Sequence, residues 1–251
     1  MVAIAQVGHD PGGVLSRLLM PLVCLGLLFG CAWPSQARRE LEQQWAVDVL
    51  LGAESGARRA GVVRWRGPVR FLLVDPDPRL QRAVEAAYAQ LCAALGDLHR
   101  LEFEVVGSSD LRVGQPGFVT IFAVAPREAG ELAQRLGAMP PGPAADGWFS
   151  IAWNAGYELT RALVFIDPKL ERRWLRHTAL EELFQALGPS NDSSLLPDSL
   201  IYEGERSFGS SDRLARVDAA VLRALYGRLE PGAGAEAIVA ALAGAGRTGG
   251  G

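Results

Sequence analysis

The chain has 251 residues, 49% of them hydrophobic and 21% charged, so it can bury a core but is too short for two large domains. A formal net charge of -3 and a pI near 5.7 exclude a strongly basic nucleic-acid-binding protein, which would need a clustered basic face. We therefore predict one main folded domain with a tail at each end, and no nucleic-acid partner.

The beginning of the chain has the layout of a secretory signal peptide. An uncharged apolar run, Leu18 to Gly30, follows Arg17 and ends at Cys31 before a polar stretch. The run is well short of the ~20 residues that a helix needs to cross a bilayer. The alternative is an ordinary buried or membrane-embedded helix whose cysteine is incidental.

The residues Leu28-Phe29-Gly30-Cys31 resemble a bacterial lipobox, in which cleavage before the cysteine is followed by lipid attachment to its sulfur. This resemblance implies a signal peptide over 1–30, a lipid on Cys31 and a location in the bacterial cell envelope, facing the periplasm or the exterior. The lipid would be the membrane anchor. Cys92 would then have no free cysteine to pair with, and we interpret it as a small core residue.

After an N-terminal linker and helix over 31–59, a domain over 60–230 alternates runs rich in β-branched and aromatic residues with runs of helical period. We predict strands at Val62–Trp65, Val69–Val74, Leu101–Val106, Phe118–Val124, Trp148–Trp153 and Arg161–Ile166. We predict helices at Leu80–Leu95, Arg127–Leu136, Lys169–Leu187 (capped by Asp167-Pro168) and Ser211–Tyr226. The Gly/Ala-rich run 231–251 is predicted to be disordered. This order predicts an α+β domain with a mixed sheet.

The helix predicted at Lys169–Leu187 carries the candidate chemistry. Its apolar stripe contains Phe184 and Leu187, and His177, Glu181 and Gln185 form an adjacent row at i, i+4 and i+8. Glu182 points to another side, which neighbouring alanines indicate is also covered. Partial desolvation raises the pKa of a carboxyl group, so these acids are candidate proton acceptors.

The segment Glu181-Glu182-Leu183-Phe184-Gln185-Ala186-Leu187-Gly188-Pro189-Ser190-Asn191-Asp192 resembles the zincin pattern H-E-x-x-H-x-x-G-x-x-H of matrixin-type metallopeptidases. Glu181, Gln185 and Asn191 stand at the positions of the zinc-binding histidines, and Glu182 and Gly188 match unchanged. The spaced elements E-E-x-x-Q-x-x-G-x-x-N-D-S, P-D-S and L-Y-G-R-L-x-P-G also resemble an uncharacterised bacterial family, domain of unknown function 2927.

The resemblance implies a zincin-like domain with an active-site-type helix, a C-terminal helix and Glu182 as the general base. Metal or ligand binding would fall to Glu181, Gln185, Asn191, Asp192 and His177. Zinc prefers imidazole and thiolate, whereas one carboxylate and two amide oxygens suit a hard divalent cation such as calcium or magnesium. His177, Glu181 and Gln185 cannot all reach one ion, because they spread over about 12 Å of helix. We therefore do not expect tight zinc binding.

A structural explanation of the same residues is also open. Glu181 would pair with His177, Gln185 and Asn191 would hydrogen-bond the loop after the helix, and Asp192 would hold the turn of that loop. Two functional classes follow: a catalytically silent module that binds an envelope peptide or a cell-wall partner, or an atypical metal-dependent peptidase or hydrolase with Glu182 as base.

Overall fold

The computed structural model describes residues 35–52, 58–110, 116–138, 146–204, 207–208 and 211–243. Its helices are α1 (Ser35–Leu51), α2 (Pro78–Leu95), α3 (Pro126–Arg135), α4 (Arg172–Gln185), α5 (Arg216–Gly227) and α6 (Ala235–Ala243). Its strands are β1 (Val69–Val74), β2 (Leu101–Val106), β3 (Phe118–Ala123), β4 (Gly147–Trp153), β5 (Leu159–Ile166), β6 (Glu203–Gly204) and β7 (Ser207–Phe208).

Five strands form one mixed sheet in the order β2-β1-β3-β5-β4. β1 is parallel to β2 and β3, and β3 is parallel to β5, whereas β4 runs antiparallel to β5 at one edge. The central strands β1 and β5 are apolar runs because both of their faces are covered. The predicted α+β class with a mixed sheet is confirmed.

The larger core joins one face of the sheet to residues of α1, α2, α4, α5 and α6. Trp45 of α1, Leu91 of α2, Phe184 of α4 and Leu225 of α5 are fully buried in it. The smaller core lies on the other face, where Ala129 and Ala133 of α3 pack against strand residues such as Phe122 and Phe165. Helix α4 is therefore held between the sheet and the other helices.

Local signals explain the helix ends. Asp77 Oδ1 accepts hydrogen bonds from the amides of Arg79 and Leu80, and Pro78 occupies the first turn of α2. The predicted cap of α4 is wrong. Asp167 Oδ1 accepts the Lys169 amide at 2.9 Å in a separate turn, and the helix begins later, at Arg172. Its end at Gln185 agrees with the prediction within the usual uncertainty of helix boundaries.

Two other expectations need correction. The run Val62–Trp65 makes no strand of the sheet; Val62 and Val63 are apolar because they are fully buried against the C-terminal segment, where the Val62 amide donates to Ala233 O at 2.9 Å. The run 231–251, predicted to be disordered, forms α6 over Ala235–Ala243, because Ile238 is buried against the core. The helix predicted within 31–59 is α1, and its Trp45 is fully buried.

The predicted signal peptide over 1–30 and Cys31 lie outside the described residues. Within the part of the chain that the structure does describe, no helix combines the length and the apolar character needed to span a membrane.

Candidate functional site

Helix α4 meets the edge strand β4 at Gly147. A Cβ atom on Gly147 would overlap Thr178 Cγ2 and would lie 2.6 Å from Glu182 Oε1. Glycine is therefore required there for the helix and strand to approach this closely. Glu182 is 6% exposed, and its carboxyl group lies against Gly147, the first residue of β4.

The outer side of β4 presents backbone donors and acceptors. The Asp167 amide donates to Asp146 O at 3.1 Å, so these two residues form a hydrogen-bonded pair at the end of β4 and β5. The Val124 amide donates to Ile166 O, so the carbonyl group of Ile166 faces β3 and not β4. Hydrogen-bonded and non-hydrogen-bonded pairs alternate along two antiparallel strands. Gly147, Phe149 and Ile151 therefore stand in non-hydrogen-bonded pairs, and their backbone N–H and C=O groups point away from β5. In the described residues β4 has no second neighbouring strand.

His177 and Glu181 form an ion pair one turn earlier on α4. His177 Nε2 lies 3.2 Å from Glu181 Oε2, and Nδ1 lies 2.8 Å from Ser211 O. Both partners are acceptors, so the ring is fully satisfied only as an imidazolium. Burial acts to lower the pKa of His177, but the hydrogen bonds to Glu181 and Ser211 and the charge of Glu181 outweigh it and raise the pKa.

Gln185, Asn191 and Asp192 come together in the loop that follows α4. Gln185 Nε2 donates to Asp192 Oδ1 at 2.8 Å, and Asn191 Nδ2 donates to Asp192 O at 2.7 Å. The loop packs against the end of α1, where the Ser190 amide donates to Val49 O at 3.0 Å. These are hydrogen bonds of the kind that the structural explanation of Gln185, Asn191 and Asp192 predicted.

Asp218 of α5 holds in place the segment around Leu200-Ile201-Tyr202, which comes after the loop that contains Asp192. Its carboxylate is fully buried and accepts hydrogen bonds from Ser199 Oγ, the Leu200 amide and the Ala215 amide at 2.8–3.0 Å. Burial raises the pKa of Asp218 to about 6. The three donors fix the position of this segment relative to α5.

The donor set does not fit zinc. The positions of the zincin ligands hold one carboxylate, Glu181, and two carboxamides, Gln185 and Asn191, whereas zinc prefers imidazole and thiolate. Both ring nitrogens of His177 are turned to Ser211 and Glu181. The described residues contain no cluster of three or more His, Cys, Asp or Glu side chains that could hold a metal ion.

The predicted site residues thus fall into three neighbouring groups: His177 with Glu181, Glu182 against Gly147, and Gln185 with Asn191 and Asp192. The sequence analysis missed Gly147. Its signal was a glycine directly before the apolar run of β4, a position that often marks a close backbone approach.

The structure of myroilysin matches the chain with 13% sequence identity and a TM-score of 0.36, covering 67% of this chain and 99% of that one. At that score the likeness is one of general arrangement, and no functional argument follows from it. No curated protein matches the chain.

The family model described as "Protein of unknown function (DUF2927)" matches residues 39–244, which include every described element from β1 to α6 and all but the first turn of α1. The match covers far more than half of the chain and confirms the family predicted from the spaced motifs. The chain belongs to the DUF2927 family.

Proposed function

We propose that this protein is a binding module that captures an extended peptide segment along the outer side of β4, and that it does so from a lipid anchor in the cell envelope. The observation that carries the proposal is the outer side of β4, along which no other strand of the described residues lies. Main-chain hydrogen bonds along such an edge give affinity for a peptide, and flanking side chains select its sequence.

The surroundings of β4 support this use. Trp153, at the end of the strand, is 44% exposed, and the Arg59 guanidinium lies 5.8 Å from the centroid of its ring. At the other end of the strand, Gly147 lies over Glu182. A bound strand would therefore run from an acidic end to an aromatic end, which gives it a preferred direction.

The envelope location is proposed from the sequence. The apolar run Leu18–Gly30 and the lipobox-like Cys31 supply an anchor. In this location, a peptide or the peptide part of a cell-wall polymer is the partner that could bind along the outer side of β4.

The test uses Ile151, whose amide faces away from β5. Peptides would be selected from a random displayed library on the full chain, and their affinity measured for the wild type, Ile151→Pro and Ile151→Ala. Proline removes the outward amide without removing a bond to β5, whereas alanine keeps the amide. We expect Ile151→Pro to weaken binding at least tenfold and Ile151→Ala to weaken it much less. Equal binding by the wild type and Ile151→Pro would place the peptide elsewhere.

A second candidate function is hydrolysis of such a peptide with Glu182 as general base. The position of Glu182 against the first residue of β4 favours it, because a peptide on that edge would pass close to the carboxyl group. Capture without turnover supports the binding module, and cleavage that requires Glu182 supports the hydrolase.

A further inference from the structure

A cavity of about 450 Å³ lies between α2 and α4, away from β4. It is lined by four arginines, Arg79 and Arg82 of α2 and Arg172 and Arg176 of α4, and by the small or apolar residues Ala83, Ala86 and Leu175. Its volume falls within the range of small-molecule sites. Such a concentration of positive charge is unexpected in a chain whose net charge is -3.

The two helices build the cavity by their periodicity. Arg79, Arg82, Ala83 and Ala86 follow one another at i, i+3, i+4 and i+7, which places them on one face of α2. The alanines leave open space between the helices. Ala83 and Leu175 are nearly fully buried, so they close the floor of the cavity, and the guanidinium groups stand at its rim.

Contacts with the described residues offset one of these four charges, that of Arg176. Arg176 Nη2 lies 3.2 Å from Asp212 Oδ2, and Arg79 Nη2 donates to Leu170 O at 2.8 Å. The side chains of Arg82 and Arg172 make no hydrogen bond or ion pair with the described residues. Asp212 is the one described carboxylate within 4.0 Å of any of the four guanidinium groups.

We propose that this cavity binds a phosphate-bearing ligand. Guanidinium groups match phosphate oxygens with paired hydrogen bonds, and several of them around one cavity favour a polyvalent anion over a single carboxylate. The apolar floor would contact the organic part of the ligand. The phosphate belongs either to a small soluble phosphoester or diphosphate, or to the headgroup of an anionic lipid. The site is independent of the peptide edge, because Arg172 and Arg176 lie on the opening turns of α4, whereas Glu182 faces β4 near its end.

The first experiment measures pyrophosphate binding to the full chain by calorimetry at constant ionic strength, since charge interactions at a surface are screened by salt. The variants are Arg82→Gln and Arg172→Gln, each of which removes a charge that has no ion-pair partner among the described residues. The matched control is Arg135→Gln, an exposed arginine on α3 at the opposite face of the sheet. We expect each cavity variant to weaken binding at least tenfold and the control to leave it unchanged.

The second experiment distinguishes the two sources of phosphate. Sedimentation of the full chain is compared between vesicles of phosphatidylcholine and vesicles in which one lipid in three is phosphatidylglycerol. The lipid anchor acts equally in both. Preference for the anionic vesicles that is lost in Arg82→Gln and Arg172→Gln identifies a lipid headgroup, and pyrophosphate binding without that preference identifies a soluble ligand. Absence of both effects, or equal losses in Arg135→Gln, would overturn the proposal.

Discussion

Gly147 and Glu182 are in such close contact that a single added carbon atom would separate them. The Glu182 Oε1 atom lies 2.6 Å from the point where a Cβ on Gly147 would stand, and Thr178 occupies the remaining space. The packing of α4 against the edge strand, and with it the position of the candidate base, therefore depends on a residue without a side chain.

We expect Gly147→Ala to lower the free energy of unfolding by about 1–3 kcal/mol, the usual cost of forcing an extra carbon into a packed site. Urea denaturation monitored by circular dichroism measures the loss. Gly67→Ala is the matched control, because a Cβ there meets no atom within 4 Å. If the two variants were equally stable, the close approach of α4 to β4 would be refuted.

The sequence predicted the elements whose pattern is local. The strand Leu101–Val106 agrees residue for residue, and α2 and α3 agree within a few residues, because alternation, helical period and helix-capping residues are properties of neighbouring positions. The burial of α6 depends instead on contacts with residues far away in the chain. A short Gly/Ala-rich run has no local signal for such contacts.

In the candidate site, too, the sequence predicted what depends on neighbouring positions and not the contacts between distant segments. The row His177, Glu181 and Gln185 followed from helical spacing, and the Glu181–His177 pair was an alternative that the spacing allowed. The contact of Glu182 with Gly147, and that of His177 with Ser211 O, join segments 35 and 34 residues apart. No periodicity in the sequence could predict these contacts.

Phe184 is the second test of the placement of α4. It is fully buried, as its position on the apolar stripe predicted, so Phe184→Ala should cost about 3–5 kcal/mol through lost burial and the cavity that remains. Thermal or urea unfolding provides the measurement. Leu98→Ala, at a residue that is 46% exposed, should cost clearly less. Similar losses for both would mean that the helical face is wrongly assigned.

The His177–Glu181 pair predicts a pH dependence. Because the pKa of His177 is raised on folding above the ordinary value of 6.5, the pair contributes its full stability below that pH and loses it as the pH rises through the folded-state pKa. We expect Glu181→Gln to lower the pKa of His177 and to weaken this dependence. Proton NMR of the imidazole signals measures the pKa, and urea denaturation at several pH values measures the stability.

His99 provides an internal reference for that titration. Burial, helped by the charge of Arg64, lowers its pKa to about 4, so the two histidines are displaced in opposite directions. Glu181→Gln should leave the pKa of His99 unchanged. A His177 signal that titrates at the same pH in the wild type and in Glu181→Gln would contradict the ion pair.

Cys31 tests the proposed anchor. Replacement with alanine should prevent lipid attachment and move the protein from the membrane fraction to the soluble fraction, because the anchor that we propose is the lipid chain on this cysteine. Cell fractionation and the intact mass of the purified protein measure the change. Cys92→Ala, which leaves the lipobox-like segment intact, is the control. Unchanged mass and fractionation of Cys31→Ala would end the lipoprotein proposal.

Glu182→Gln separates the two candidate functions, because the amide keeps the shape of the side chain and removes the base. For a binding module we expect this variant to capture the selected peptides as the wild type does, with no turnover in either protein. For a hydrolase, turnover would be lost while the peptide still binds.

Zinc binding is tested by a second measurement, the melting temperature, since a metal at 100 times its dissociation constant would stabilise the fold by about 2.7 kcal/mol. In a domain of this size that corresponds to a rise of roughly 5–10 °C in melting temperature. Because the donors Glu181, Gln185 and Asn191 do not suit zinc, we expect no such rise. A zinc-dependent rise that disappears in Glu181→Ala would restore the metallopeptidase explanation.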